Sequence, residues 1–572
     1  MSSTAIAQVI DTTDDGSRLI ELIDRLDDVP DPDAIASRGQ ELMDEHRTFE
    51  QGGPSRVTVH TQMQLNPALA DSSEYVRHYY RGSPIKTSSS IVARTADVEL
   101  SLVEAKDPGE PLYFDHLVGS LSIRKPIDAG PFSVEHFIIG SYGLNYGEGL
   151  VFGKGYPIFP SVSNISVRRS AATITPYRST SSYRYFNGAA TTVEAGSFSI
   201  DGFYSDRSID ATIDSGSIAY VSTSGYHRTT TELDRMGTTQ QTVAGGALRW
   251  HSPEDVSLHL QLGIVGCDTR YDLPLTVDTT SPQFGHDNTR VLSAFCTVHD
   301  SIFYLSTEIG ASFVPSRTTT SFALSSTIRL ASPLLLSANV HIIPPEYYSP
   351  FLGTFGAASD NDLHERGCYL GVSYAMSNVL QLRAYSTLSF EHIGSPDVGA
   401  TTRSVESALG LLYDNSKRSV DARIRYSVAT ETPRTFSDGR IRYEERLSGT
   451  VLLTLLGRIR SLSIDGERTV AYTAGIGATL RPMHVLSCSA FIEPYTVPTF
   501  DVRLYSIEPE IGDILPFVPL YGSGTRVKFV AALNLDDRIH VEASFGQSVF
   551  SYPANTPTRR TTTIACSATA RL

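Results

Sequence analysis

The sequence predicts an all-β chain: a single large antiparallel transmembrane β-barrel of about 22–26 strands, with a short α-helical N-terminal segment and an internal plug or long loop. Three observations predict it. Charged residues make up only 19% of the 572 residues, while 28 Tyr and 24 Phe accompany a single Trp. Long segments alternate strictly between apolar and polar residues, which is the period of a strand. The links between those segments are unequal, short ones alternating with long ones, as in a membrane barrel with its long loops at one end.

Residues 1–8 contain "STAIAQ", with Ala5 and Ala7 at the spacing of an A-x-A cleavage site. This reads as a signal-peptide remnant, although no basic or apolar region precedes it and a chance match is the plain alternative. Residues 9–52 form an acidic segment: the first 50 residues hold 13 Asp/Glu against 4 Arg. Leu19, Ile20, Leu22, Ile23 and Leu26 recur at helical spacing, Pro30 and Pro32 interrupt, and a second short helix is expected from about Ala34 to Arg47.

Residues 53–572 are expected to form the barrel. In "DVSLHLQLGI" Val256, Leu258, Leu260, Leu262 and Ile264 oppose Ser257, His259 and Gln261. In "SVDARIRYSV" Val420, Ala422, Ile424, Tyr426 and Val428 oppose Asp421, Arg423, Arg425 and Ser427. A soluble sandwich shares this alternation, and a secreted or surface-attached β protein binding glycan or protein is the second reading. Strands of roughly ten residues and the need to close so many edges favour the barrel. No apolar run reaches the length of a spanning helix, which a barrel does not need.

Residues 142–186 break the hairpin pattern. They are rich in Gly, Pro and aromatics and carry Glu148, Lys154, Arg168, Arg169, Arg178 and Arg184. The stretch "NYGEGLVFGKGY" fails the phosphate-loop pattern, because Glu148 stands where its first glycine is needed and Gly155 follows Lys154. The segment is expected to fold into or cap the lumen. Its arginines either pair carboxylates such as Glu148 in a packed plug or bind an anionic ligand. No catalytic, cofactor-binding or metal-ligating set is assigned, since the 15 histidines are dispersed and the five cysteines show no CxxC spacing. The chain reads as a non-enzyme without cofactors.

"IIGSYGLNYGEGLVFGKGYP", "ISVRRSAATITPYRSTSSYRYFNG", "FYSDRSIDATI", "YRGSPIK" with "LSLVEAKDPGEP", and "LPFVPLYGSGTRVKFVAAL" resemble, in order, motifs of a family of large outer-membrane barrels of Gram-negative bacteria, the helix-hairpin-helix domain-containing proteins. The helix-hairpin-helix units themselves are missing here. The resemblance implies an outer-membrane location and a role in transport, uptake or envelope assembly. The expected partners are outer-membrane lipid, with lipopolysaccharide or a periplasmic or lipoprotein partner as further candidates. No nucleic-acid partner is expected: the hairpin is absent, and a net charge of −15 opposes phosphate binding.

Overall fold

A computed structural model describes residues 56–65, 79–111, 115–153, 162, 165–168, 173–253, 256–276, 287–314, 317–331, 333–353, 365–393, 400–430, 434–509, 511, 518–536, 538–551 and 558–572. The expected helices at 16–47, the cleavage site, Lys154 and Arg169 lie outside these residues.

One antiparallel sheet of 26 strands dominates the chain. Two of its strands, Ile127–Ala129 and Ile174–Pro176, are short and pair only with Phe132–Leu144. The other 24 form the wall. Each pairs with the next in sequence, and the first, Arg56–Leu65, pairs with the last, Arg559–Arg571, in the register Val59↔Ala570 to Leu65↔Ile564. Val57 and Leu572 exchange backbone hydrogen bonds of 3.0 and 2.8 Å at the end of this seam. Closure leaves the wall no free edge, which is the condition for a sheet to cross a bilayer.

The pleat sorts side chains as the alternation predicts. Ile424 is 65% exposed on the outer face, while Arg423 and Arg425 beside it are buried inside. Leu262 and Ile264 face outward, as do Phe529 and Phe545, which pair directly across adjacent strands. Inside stand Ser, Thr, carboxylates and guanidiniums. An apolar exterior around a closed polar interior is an outer-membrane barrel, and that is where this architecture places the chain. It is not the soluble sandwich of the second reading, which would turn its apolar face inward.

The unequal links fall at opposite ends. At the end that carries both wall termini the connections are short, such as 95–97, 196–197, 300–302 and 449–450. At the other end lie 107–115, 145–185, 210–238, 343–364 and 498–521. That end also carries, among the described residues, the tight link Asp465-Gly466, whose φ values of 51° and 86° give the two-residue turn that matches strand twist.

Candidate functional site

The strand Phe132–Leu144 leaves the wall after Leu144, and the following residues turn to the inner face. Tyr146, Leu150, Val151 and Phe152 are fully buried there. They pack against inward-facing residues of consecutive wall strands, among them Phe203, Val243, Val265, Phe295 and Ala323. The Phe152 ring sits 5.2 Å from that of Phe203, 5.6 Å from Phe186 and 5.5 Å from Phe351. Phe351 belongs to a second inward stretch, Ile343–Leu352, bound to the first by Tyr347 Oη donating to the Leu150 carbonyl (2.9 Å) and Ser349 Oγ to that of Val151 (3.0 Å).

Glycine is required at two points. Gly147 has φ +53°, and a Cβ there would lie 2.7 Å from the Glu308 carboxylate. A Cβ on Gly153 would lie 2.5 Å from the Gly353 backbone, with which this turn runs hydrogen-bonded through Gly353 N–H to Gly149 O (2.8 Å). Gly147 and Gly153 therefore serve close approach to a wall carboxylate and to a neighbouring backbone.

That carboxylate anchors the turn. Glu308, fully buried on the wall, accepts the N–H groups of Glu148 (2.6 Å) and Leu150 (3.1 Å). Tyr146 Oη donates to Asp201 (3.0 Å), which also takes a two-pronged bond from Arg249. Farther on, Val162 and Val167 pack on Tyr369, Tyr385 and Ala408, so the segment touches the wall over many strands.

The predicted site residues separate. Glu148 accepts from Ser325 Oγ of the wall at 2.6 Å. Arg178 instead bonds Glu99, which Arg94 holds from the other side at 2.7 Å. Arg178 thus pairs a wall carboxylate, on strand Val98–Lys106, that lies far from it in the sequence. Arg184, at φ +61°, donates to the Leu352 carbonyl (2.7 Å) and joins the two inward stretches. Arg168 stands over the Tyr304 ring at 5.4 Å, beside a cavity of about 270 Å³ that His251, His259 and His299 also line.

Sequence reading missed two features. The first is a further inward stretch, from the link 498–521, in which Val502, Leu504, Tyr505 and Ser506 are buried. Wall guanidiniums hold it: Arg458 bonds the Tyr505 carbonyl, Arg460 that of Arg503, and Arg526 grips Glu508 with two bonds of 2.6 Å. Arg460 and Arg423 share Asp438, at 3.3 and 3.2 Å. Only the polar parity of Arg423, Arg425, Arg526 and Lys528 hinted at this.

The second lies at the rim, on the links outside the strands. His227 donates one ring nitrogen to Asp115 (2.6 Å) and the other to Asp210 (3.0 Å). Burial alone would lower its pKa; the two carboxylates outweigh that and push it up to about 10. Burial, with the charges of Asp107 and Asp115, pushes the neighbouring Glu110 up to about 7. Glu110, Asp115 and His227 present ligand-type atoms within 4.8 Å of one another. Their separation in the sequence hides the grouping.

No family model and no curated protein matches the chain. It is similar to several solved structures. A mutant ferric enterobactin receptor PfeA from Pseudomonas aeruginosa matches at 10% identity over 91% of this chain and 81% of that one, with a TM-score of 0.41. The copper transporter OprC matches at 9% identity over the same shares, with a TM-score of 0.44. The FrpB iron transporter from Neisseria meningitidis matches at 7% identity over 93% and 84%, with a TM-score of 0.39.

Proposed function

We propose that the chain is an outer-membrane uptake barrel whose resting state is closed by residues 142–186, acting as a plug together with the stretch Ile343–Leu352. One observation carries this reading: Phe152 and its neighbours, from a link between strands, are fully buried against the inner face of a wall that is otherwise wide enough for a channel. In this reading Glu148, Arg178 and Arg184 are the latches that fix the plug, and Lys154 and Arg169 belong to it. Arg168, beside the histidine-lined cavity, is the residue assigned to an anionic group of the cargo. The cargo travels as a solute through the lumen, and no catalytic step is assigned. Kinship with the helix-hairpin-helix family of barrels, and the accompanying lipopolysaccharide or lipoprotein partner, rests on the order of the sequence motifs.

Planar-bilayer conductance tests the proposal. The intact protein should pass little steady current, and replacing 146–168 by a short Gly-Ser link should open a large, stable one. A large steady current through the intact protein would overturn the plug.

A further inference from the structure

Away from the lumen, at the rim opposite the wall termini, four titratable side chains from links far apart in sequence converge. Glu110 and Asp115 come from link 107–115, Asp210 and His227 from link 210–238. All but Asp210 are almost completely buried; the side chains of Asp115 and His227 are 3% and 6% exposed. Three carboxylates thus face one imidazole; the charge of Lys106 is felt by Glu110 and Asp115, but its ammonium donates to the Ile85 and Asp107 carbonyls.

Their bonding is unevenly completed. Glu110 accepts one backbone N–H on each oxygen, from His227 at 3.1 Å and from Asp107 at 2.6 Å, which fixes the carboxylate and leaves lone pairs available. Asp210 is fully engaged, with Oδ1 accepting from Gly237 N–H (2.8 Å) and Oδ2 from His227 Nε2. Asp115 is different. Its Oδ2 meets His227 Nδ1, but its Oδ1, buried from solvent, has no hydrogen-bond partner. A buried carboxylate oxygen left without a partner is costly, and native proteins complete such groups.

We infer that Glu110, Asp115 and one ring nitrogen of His227 form a binding site for a single divalent first-row transition cation, with Asp210 orienting the imidazole from outside. Two carboxylates and an imidazole are a borderline donor set, suited to Zn²⁺ or Co²⁺, whereas Ca²⁺ takes oxygens alone. Nδ1 faces Asp115 and is the ligand nitrogen; the ion takes the place of its proton. Nε2–H stays on Asp210, the usual outer carboxylate of a metal-bound histidine. Asp210, 18% exposed, marks the side open to solvent. The site ties two rim links together and stands apart from the transport reading.

Titration of the full-length, EDTA-stripped protein with Co²⁺ in detergent tests this. The wild type should take up one equivalent saturably, with visible d–d absorption. Asp115→Asn and His227→Gln should abolish that equivalent, Asp210→Asn should weaken it by about 10–100-fold, and His484→Gln, on a short link at the opposite end of the barrel, should retain it. Absence of saturable uptake by the wild type, or wild-type titration by Asp115→Asn and His227→Gln, overturns the site. Should those variants fail to show the heat-modifiable shift of a folded barrel, X-ray absorption of Co²⁺ on the wild type decides. One imidazole nitrogen among oxygens supports the site; a shell of nitrogens alone or of oxygens alone overturns it.

Discussion

The two halves of the lumen hold their inward stretches with opposite polarity. Where residues 145–152 meet the wall, wall carboxylates are the main anchors: Glu308 takes two backbone N–H groups and Asp201 takes the Tyr146 hydroxyl, while Ser325 Oγ donates back to Glu148. Where 502–508 meet it, wall guanidiniums are the main anchors: Arg458 and Arg460 reach carbonyls and Arg526 reaches Glu508, while Ser506 Oγ donates to the wall carboxylate Glu493. The first half is otherwise an aromatic core around Phe152. In the second, the Phe436 ring meets the guanidiniums of Arg425 and Arg460, each 4.9 Å from its centre. A polar wall can thus seat an irregular backbone by either sign of charge, as long as the stretch offers the complement.

Five substitutions probe that contrast, each read as unfolding free energy from the heat-modifiable gel shift in a denaturant series. Asp438→Asn leaves Arg423 and Arg460 facing each other without their shared carboxylate, and should cost roughly 3–5 kcal/mol. Adding Arg460→Met should recover part of that loss; a double variant no more stable than the single would remove the ion pair from the account. Phe152→Ala should cost nearly as much, about 3–5 kcal/mol, and a cost below about 1 kcal/mol would mean that the aromatic half is not a packed core. On the outer face, Ile424→Arg should cost about 2–4 kcal/mol if it lies near the bilayer midplane. Full tolerance there would put lipid on the wrong side of the wall. The smallest effect is expected from Tyr146→Phe, about 1 kcal/mol, because Asp201 keeps Arg249 and Thr192.

The wall was legible because a strand writes its two environments into every second residue. Ile424 and Tyr426 against Arg423 and Arg425 needed nothing but parity. The departure at 145–156 was legible too, since so many glycines serve neither a strand nor a phosphate loop. Partners were not. Arg178 finds Glu99 and Glu148 finds Ser325 because the barrel's curvature brings distant strands to one surface, and sequence offers no measure of that. The grouping of Glu110 and Asp115 with His227 was invisible for the same reason. The inward stretch at 498–521 has a single glycine, Gly512, and no pattern in its sequence marked it as turning inward.

The seam between Arg56–Leu65 and Arg559–Arg571 also orders events in time. The first strand's partner is the last strand of the wall to be made, so no closed wall exists until that strand has been synthesised. Until then two unsatisfied edges travel with the polypeptide, each a template for pairing with another molecule. Closure is therefore a late event in the life of the chain. Loss of the final strand would create a permanently open edge, a graver lesion than its share of the sequence suggests.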